Sequence, residues 1–270
     1  MASASPSRGV DTHAHVFSAD APSAAGARYR PAYAATLDGW RALWPTGAVT
    51  HGVITQVSFF GTDNRELLAA IARAPACLCG VAGVDPGFDA AALRALDAGG
   101  VRALRLNLAG VTDYAPYGDA AWRSLYARAA ALGWHAEVFV DSGRLPELVP
   151  VFEGTPIPIV LDHFGNPGAG VRAVDATLDA AARLACTRAL WCKLSAPYRL
   201  APGSDPARLA AQWLALLGRD RLVWGSDWPW TRHEGGRNYG ELAASVDRWV
   251  PPAVARAVLW DNPARLYRFA

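Results

Sequence analysis

Lysine is almost absent from this chain: arginine carries nearly all of the positive charge, and Lys193 is the only lysine. Together with the abundant alanine this marks a compositional bias, and by itself it assigns no function. Excess charge is missing as well. The formal net charge is +2, so no electrostatic argument points to a nucleic acid or a membrane surface as partner. Cysteine is sparse. Cys77, Cys79, Cys186 and Cys192 include no Cys-x-x-Cys pair, which removes a zinc-ribbon type of site and leaves buried free thiols as the expectation. No apolar run approaches the ~20 residues of a membrane-spanning helix. Residues 1–8, Met1-Ala-Ser-Ala-Ser-Pro-Ser-Arg8, have no apolar core and read as a frayed, disordered tail rather than a signal peptide. The expectation is a soluble, cytoplasmic protein.

What is present is a core. The chain has 270 residues, 52% of them hydrophobic and 19% charged, which excludes a disordered polypeptide. Short apolar segments centred on 9–16, 51–59, 78–84, 101–108, 134–140, 157–163, 189–195 and 221–226 alternate with amphipathic stretches. The latter cover 63–74, 88–98, 119–132, 144–153, 173–185 and 205–218. Such alternation implies parallel strands with crossover helices, and eight units favour a closed barrel over an open sheet. A (β/α)8 barrel needs ~250 residues, so residues 9–270 are expected to form one α/β domain, a TIM barrel with room for distortion. Residues 254–268 read as a helix closing it, and 18–36 as a long loop after the first strand.

Within a barrel, polar residues on a strand point to the interior, because the outer face packs on helices. Residues i and i+2 of a strand share a face ~7 Å apart. Asp11, His13 and His15 therefore belong together, as do Gln56 with Ser58, Arg105 with Asn107, His135 with Glu137 and Phe139, and Lys193 with Ser195. Burying that much charge is costly unless it is paired or used. At the carboxyl ends of the strands, where barrel enzymes do chemistry, fall His15, Ser58, Arg105, Asn107, His163, Ser195 and Asp227. Glu137 and Lys193 sit nearer mid-strand and read as an internal ion pair. His51 and His135 read as structural. Taken alone, His163 reads equally as a core residue and as a ligand or catalytic group. Asp227, which ends an apolar strand ahead of Trp228-Pro229, points to a site, with a helix N-cap as the bland alternative. His233 lies in the loop beyond it, where contact with a substrate and plain exposure are equal readings.

At these residues the chain resembles the amidohydrolase superfamily, in particular its branch of 2-pyrone-4,6-dicarboxylate, muconolactone and sugar lactonases. The resemblance runs through Asp11-Thr12-His13-Ala14-His15, Gly61-Thr62-Asp63-Asn64, Arg105-Leu106-Asn107 and Gly133-Trp134-His135. It continues through Asp162-His163-Phe164-Gly165, Lys193-Leu194-Ser195, Gly225-Ser226-Asp227-Trp228-Pro229 and Asp261-Asn262-Pro263-Ala264-Arg265-Leu266-Tyr267. His-x-His alone is a weak signal; the ordered set is a strong one. The resemblance implies Asp227, His163, His13 and His15 as catalytic positions, Arg105 and Arg199 as the clamp for a substrate carboxylate, and Tyr29 as a loop contact. Ser58, Asn107 and His233 complete the expected substrate-binding set. Two positions depart from the dicarboxylate lactonase pattern: Val111 replaces an arginine and Phe139 a tyrosine. Both serve that dicarboxylate, so the substrate is expected to be another lactone.

The implied reaction is hydrolysis of a small, anionic, carboxylated lactone. Asp227 acts as general base on water, and His163 with His13 or His15 stabilises the oxyanion. His13, His15, His163 and Asp227 could also hold zinc. Superfamily members with a firm metal add a fifth-strand lysine or histidine, whereas this strand ends in Phe139, Val140 and Asp141. The expectation is therefore that no cofactor is required and that any zinc binds weakly. Two other readings stay open: a zinc-dependent decarboxylase of the aminocarboxymuconate-semialdehyde type, and a barrel that binds a small molecule without turning it over. The sequence says nothing of oligomeric state.

Overall fold

A computed structural model describes residues 9–20 and 23–270; the expected tail, 1–8, lies outside the described residues. Eight strands follow one another in a single parallel sheet: β1 (Gly9–Ala14), β2 (Val49–Thr55), β3 (Leu78–Gly83), β4 (Val101–Asn107), β5 (His135–Phe139), β6 (Ile159–Leu161), β7 (Leu190–Ser195) and β8 (Leu222–Gly225). The ends of the sheet meet. Asp227 N donates to His13 O and His15 N to Trp228 O, both at 2.8 Å, which draws β8 against β1. Closure also needs Gly225, because a Cβ there would stand 2.7 Å from the Cβ of His13. The expected TIM barrel is present, with an irregular seam. Among the described residues no helix is long and apolar enough to cross a membrane.

Around the sheet lie α1 (Leu37–Leu43), α2 (Arg65–Ala72), α3 (Ala90–Ala98), α4 (Ala120–Ala131), α5 (Val149–Phe152), α6 (Val171–Ala185) and α7 (Pro206–Leu217). Short helices α8 (Tyr239–Ala244), α9 (Val246–Trp249), α10 (Pro252–Arg256) and α11 (Asn262–Tyr267) complete the chain. Side-chain caps start several of them: the Asp89, Asp119 and Asp205 carboxylates accept from Ala92, Trp122 and Ala207 amides. Helix 144–153 was expected to be continuous. It is instead a 3-10 turn, Leu145–Leu148, followed by the single turn α5, because Pro146 and Pro150 lack the amide protons of a regular helix. The closing helix is likewise α10 and α11 joined by a π-helical segment, Ala257–Asp261. Cys79 and Cys192 are buried as expected, but Cys186 is exposed at the end of α6.

Strand parity sorts the barrel interior into three levels. The lowest is apolar: Val10, Val53, Cys79, Val81 and Ala103 pack with Tyr267, and Val160 packs with Trp191 and Val223. Two residues beyond His135, Val160 and Trp191 the interior turns ionic, with Glu137, Asp162 and Lys193. The third level is the mouth, where Asn107, Phe139, Ser195 and Asp227 arrive. Trp191, Lys193 and Ser195 of β7 mark the three levels on one strand.

Candidate active site

The middle level is the expected internal ion pair, extended. Lys193 Nζ bonds Glu137 Oε2, lies 3.2 Å from Asp162 Oδ1 and 3.0 Å from His13 Nδ1, and is fully buried. Glu137 also accepts from the Tyr267 hydroxyl and faces His135 Nε2 at 3.4 Å. Burial would raise the Glu137 carboxyl, yet the adjacent Lys193 ammonium outweighs it and brings it down to about 2. His135 is thus a hydrogen-bonded core histidine, and His51 packs its ring on Trp260 and Phe269 at the opposite end from the mouth.

Above this level, three imidazoles face one carboxylate oxygen. The Nε2 atoms of His13, His15 and His163 lie 3.6, 3.6 and 3.8 Å from Asp227 Oδ1. The His13 ring is 5.0 Å from each of the other two, centroid to centroid. Local backbone creates the convergence. His163 and Asp227 have φ values of 52° and 59°, the left-handed region, so each strand end breaks and its side chain turns over the barrel axis. Such positions cost of order 1–3 kcal/mol each and persist only where packing enforces them.

The other Asp227 oxygen is held. Oδ2 accepts from the Tyr198 hydroxyl at 2.8 Å and from Arg199 Nε at 2.6 Å. Burial raises this carboxyl, but the Arg199 guanidinium and the neighbouring histidines outweigh it and keep it well below the usual carboxylate range. Burial pushes His15 down to about 4 and His163 to about 3, so both are neutral at pH 7.

Hydrogen bonds then fix where the protons sit. His15 Nδ1 lies 2.7 Å from Thr55 O, a carbonyl that only accepts, so Nδ1 carries the proton and Nε2 presents a lone pair. For His13 two arrangements compete. An ammonium only donates, so Lys193 favours a lone pair on Nδ1 and a proton on Nε2; Asp162 Oδ1, 3.3 Å from the same Nδ1, favours the reverse. His163 Nδ1 meets Ser195 Oγ at 2.8 Å, and a hydroxyl serves either tautomer.

The expected substrate residues fall around a cavity of about 150 Å3 at the barrel mouth. Tyr29, Ser58, Arg105, Asn107 and Arg199 line it together with His15, His163 and Asp227. His13 lies beneath, fully buried, its Nε2 without a hydrogen-bond partner. Ser58 reaches the cavity from the 3-10 turn Ser58–Phe60, since β2 ends at Thr55 and Gln56 turns its amide onto Asp63 O.

Two expectations are corrected. Asp11 does not share the histidine face: its carboxylate accepts from Trp40 Nε1, the Ser226 amide and hydroxyl, and the Tyr239 hydroxyl. A register shift between Asp11 and Ala14 breaks the two-residue alternation, so Asp11 fixes the outer helices α1 and α8 to the seam. His233 stacks against Tyr198 at 5.3 Å and is not among the residues lining the cavity. The turn before it, with Trp230 and Arg232 at φ values of 65° and 69°, brings in Arg232 instead. Sequence reasoning missed Tyr198, Arg28 and Arg232. Arg28 and Arg232 line the cavity, which gives it four arginines with Arg105 and Arg199.

The donor set also fits a divalent ion. Ligand atoms of His13, His163 and Asp227 lie within 4.8 Å of one another, and the His15 lone pair points to the same carboxylate oxygen. Asp162 behind His13 Nδ1 supplies the carboxylate that commonly backs a metal-bound imidazole.

This barrel, with two histidines at the end of β1, one after β6 and an aspartate after β8, is matched by the amidohydrolase family model over residues 10–269, and the chain belongs to that family. It is 30% identical to the 2-pyrone-4,6-dicarboxylate hydrolase of Comamonas testosteroni, over 97% of this chain and 90% of that one. It is 27% identical to the 4-sulfomuconolactone hydrolase of Rhizobium radiobacter, with the same two coverages of 97% and 90%. Among solved structures, a probable 2-pyrone-4,6-dicarboxylic acid hydrolase from Acinetobacter baumannii with citric acid bound superposes with a TM-score of 0.84 at 30% identity, covering 97% of this chain and 99% of that one.

Proposed function

We propose that the protein hydrolyses a small lactone bearing at least one carboxylate or sulfonate. One observation carries this reading: Asp227 presents Oδ1 to three imidazoles within 3.6–3.8 Å while Arg199 and Tyr198 hold Oδ2, beside a cavity with four arginines. The similarity to two hydrolases named for anionic lactones supports it.

A water beside Oδ1 donates one proton to Asp227, and the His15 Nε2 lone pair accepts its other hydrogen, which aims an oxygen lone pair at the lactone carbonyl. His15 in this tautomer is no oxyanion donor. That role falls to His163, which lines the cavity and has a tautomer that places a proton on Nε2, with His13 behind it; a donor of this kind is worth about 3–4 kcal/mol where it has been removed elsewhere. Asp227 then returns its proton to the leaving alkoxide as the ring opens. Arg105 and Arg199 grip the substrate anion through their planar forks. An anion that draws Arg199 away from Oδ2 raises the proton affinity of Asp227, so substrate binding itself strengthens the base.

His13, His15, His163 and Asp227 would hold a divalent ion, which when bound supplies Lewis-acid polarisation of the carbonyl. We propose that turnover does not need one. Phe139 stands at the end of β5 with its ring 5.3 Å from His163, where a nitrogen ligand would complete a firmer site.

The test is a panel of 2-pyrone-4,6-dicarboxylate, 4-sulfomuconolactone and neutral sugar lactones, with acid release followed before and after chelation. Hydrolysis of an anionic member that survives chelation is expected, and Asp227→Asn should lower kcat by about 10²–10⁴-fold. Metal-dependent release of carbon dioxide would point to the decarboxylase instead. Tight binding without turnover would leave only a binding barrel.

A further inference from the structure

A second cavity adjoins the reaction cavity. At about 250 Å3, against about 150 Å3 for the first, it shares Val57, Ser58, Arg105 and Asn107 with it. Arg105 is the partition. Its guanidinium donates to Gln56 O, its Nε has no hydrogen-bond partner, and both cavities reach it. The far wall is aromatic: Tyr117, in the 3-10 turn Ala115–Gly118, and Trp122, in the first turn of α4, lie 4.9 Å apart with a 43° tilt. The Tyr126 hydroxyl fixes that turn by donating to Tyr117 O at 2.9 Å.

The opposite wall is built to stay in place. Gly83 approaches Gly61 so closely that a Cβ on it would lie 2.1 Å from the Gly61 carbonyl oxygen. Asn64 clamps the same point, accepting from Gly83 N at 3.0 Å and donating to Gly83 O at 2.8 Å. The space is therefore set before any ligand arrives, which lowers the ordering cost of filling it.

We infer that this second chamber is a substrate subsite for an uncharged aromatic substituent of the lactone. The inference rests on the lactonase reading and narrows its substrate class. Asp85 lines the second cavity and disfavours a second anion there, and on the lactonase reading Arg105 serves the substrate carboxylate in the first. Valine and leucine side chains and the Tyr117–Trp122 pair suit a flat apolar ring. Size permits it, since cavities of about 150 Å3 accept benzene in other proteins.

Wild type is assayed with 2-pyrone-6-carboxylate and with its 3-, 4- and 5-phenyl derivatives. At least one phenyl derivative should exceed the parent in kcat/KM by about 10-fold, a gain that Trp122→Ala removes and Trp122→Phe largely keeps. The parent should change less than about 2-fold in either variant. Calorimetric binding of the same four acids to Asp227→Asn gives the affinity order without turnover. If no lactone is hydrolysed, the lactonase reading fails, while a tighter Kd for a phenyl derivative still supports the subsite. Phenyl derivatives that neither react faster nor bind tighter than the parent overturn it, as does a Trp122→Ala loss shared equally by parent and derivatives.

Discussion

Replacing Lys193 with methionine tests whether the ionic level beneath the site is held together as described. Methionine keeps most of the volume and removes the charge. Against the opposing effect of burial, Lys193 together with the His135 hydrogen bond brings the Glu137 carboxyl from 4.5 to about 2, a net effect worth about 3 kcal/mol at neutral pH at about 1.4 kcal/mol per pH unit. Both side chains are fully buried, and Asp162 Oδ1 loses the same ammonium at 3.2 Å, so the cost should reach about 3–5 kcal/mol. Because the folded-state value for Glu137 is depressed, its contribution is complete above 4.5 and is lost as pH falls through about 2. In Lys193→Met, burial, the largest influence on this carboxyl, is opposed only by the remaining hydrogen bonds from His135 and Tyr267 and should raise it above 4.5. The variant should then recover part of its deficit as pH falls from 7 to 5, when Glu137 takes up a proton. Equilibrium urea unfolding followed by far-ultraviolet circular dichroism at both pH values measures the gap, provided m is unchanged. Adding Glu137→Gln should restore part of the stability at pH 7. A gap below about 1 kcal/mol at pH 7, or one that does not narrow at pH 5, refutes the reasoning.

The histidines predict the opposite sign of pH dependence in the wild type. His15 and His163 are depressed from 6.5 to about 4 and about 3, so the unfolded chain binds more protons, and stability should fall by up to about 1.4 kcal/mol per pH unit for each as pH drops below 6.5. The urea midpoint should decline from pH 7 to 5, and His15→Gln should decline less steeply; equal slopes would contradict the burial of neutral His15. Tyr198→Phe removes one of the two donors to Asp227 Oδ2, a bond to a charged group. It should lower kcat on an anionic lactone by about 10-fold with little change in KM. An unchanged kcat would show that Arg199 alone orients the carboxylate.

The barrel was legible because each of its strands is a short apolar run between turn-forming residues, a pattern that survives any detail of side-chain packing. The site was legible only in part. Parity placed Arg105, Asn107, Glu137, Lys193 and Ser195 correctly, since β5, β7 and β4 from Ala103 onward pair without a register shift. It failed for Asp11, where a register shift undoes the alternation. Loops defeat parity altogether. Tyr198, Arg28 and Arg232 reach Asp227 or the cavity from segments without a repeating direction, and His233 turns away for the same reason. For Tyr198 a signal did exist: it precedes Arg199 directly after the end of β7. Helices α1, α8 and α9, of 7, 6 and 4 residues, are too short to show a hydrophobic period.

Three carboxylates lie buried along the barrel axis, and their surroundings differ. Glu137 is saturated: Lys193 holds one oxygen, and Tyr267 and His135 the other. Asp162 faces Lys193 and His13 below the mouth and does not line the cavity. Asp227 alone among them is divided, with Oδ2 bound by Tyr198 and Arg199 and Oδ1 set among three nitrogens in contact with the cavity. His15 Nε2, a lone pair at neutral pH, cannot donate to that oxygen. The pair, 3.6 Å apart, thus offers two acceptors side by side, a setting that suits a protic or cationic guest bound against both.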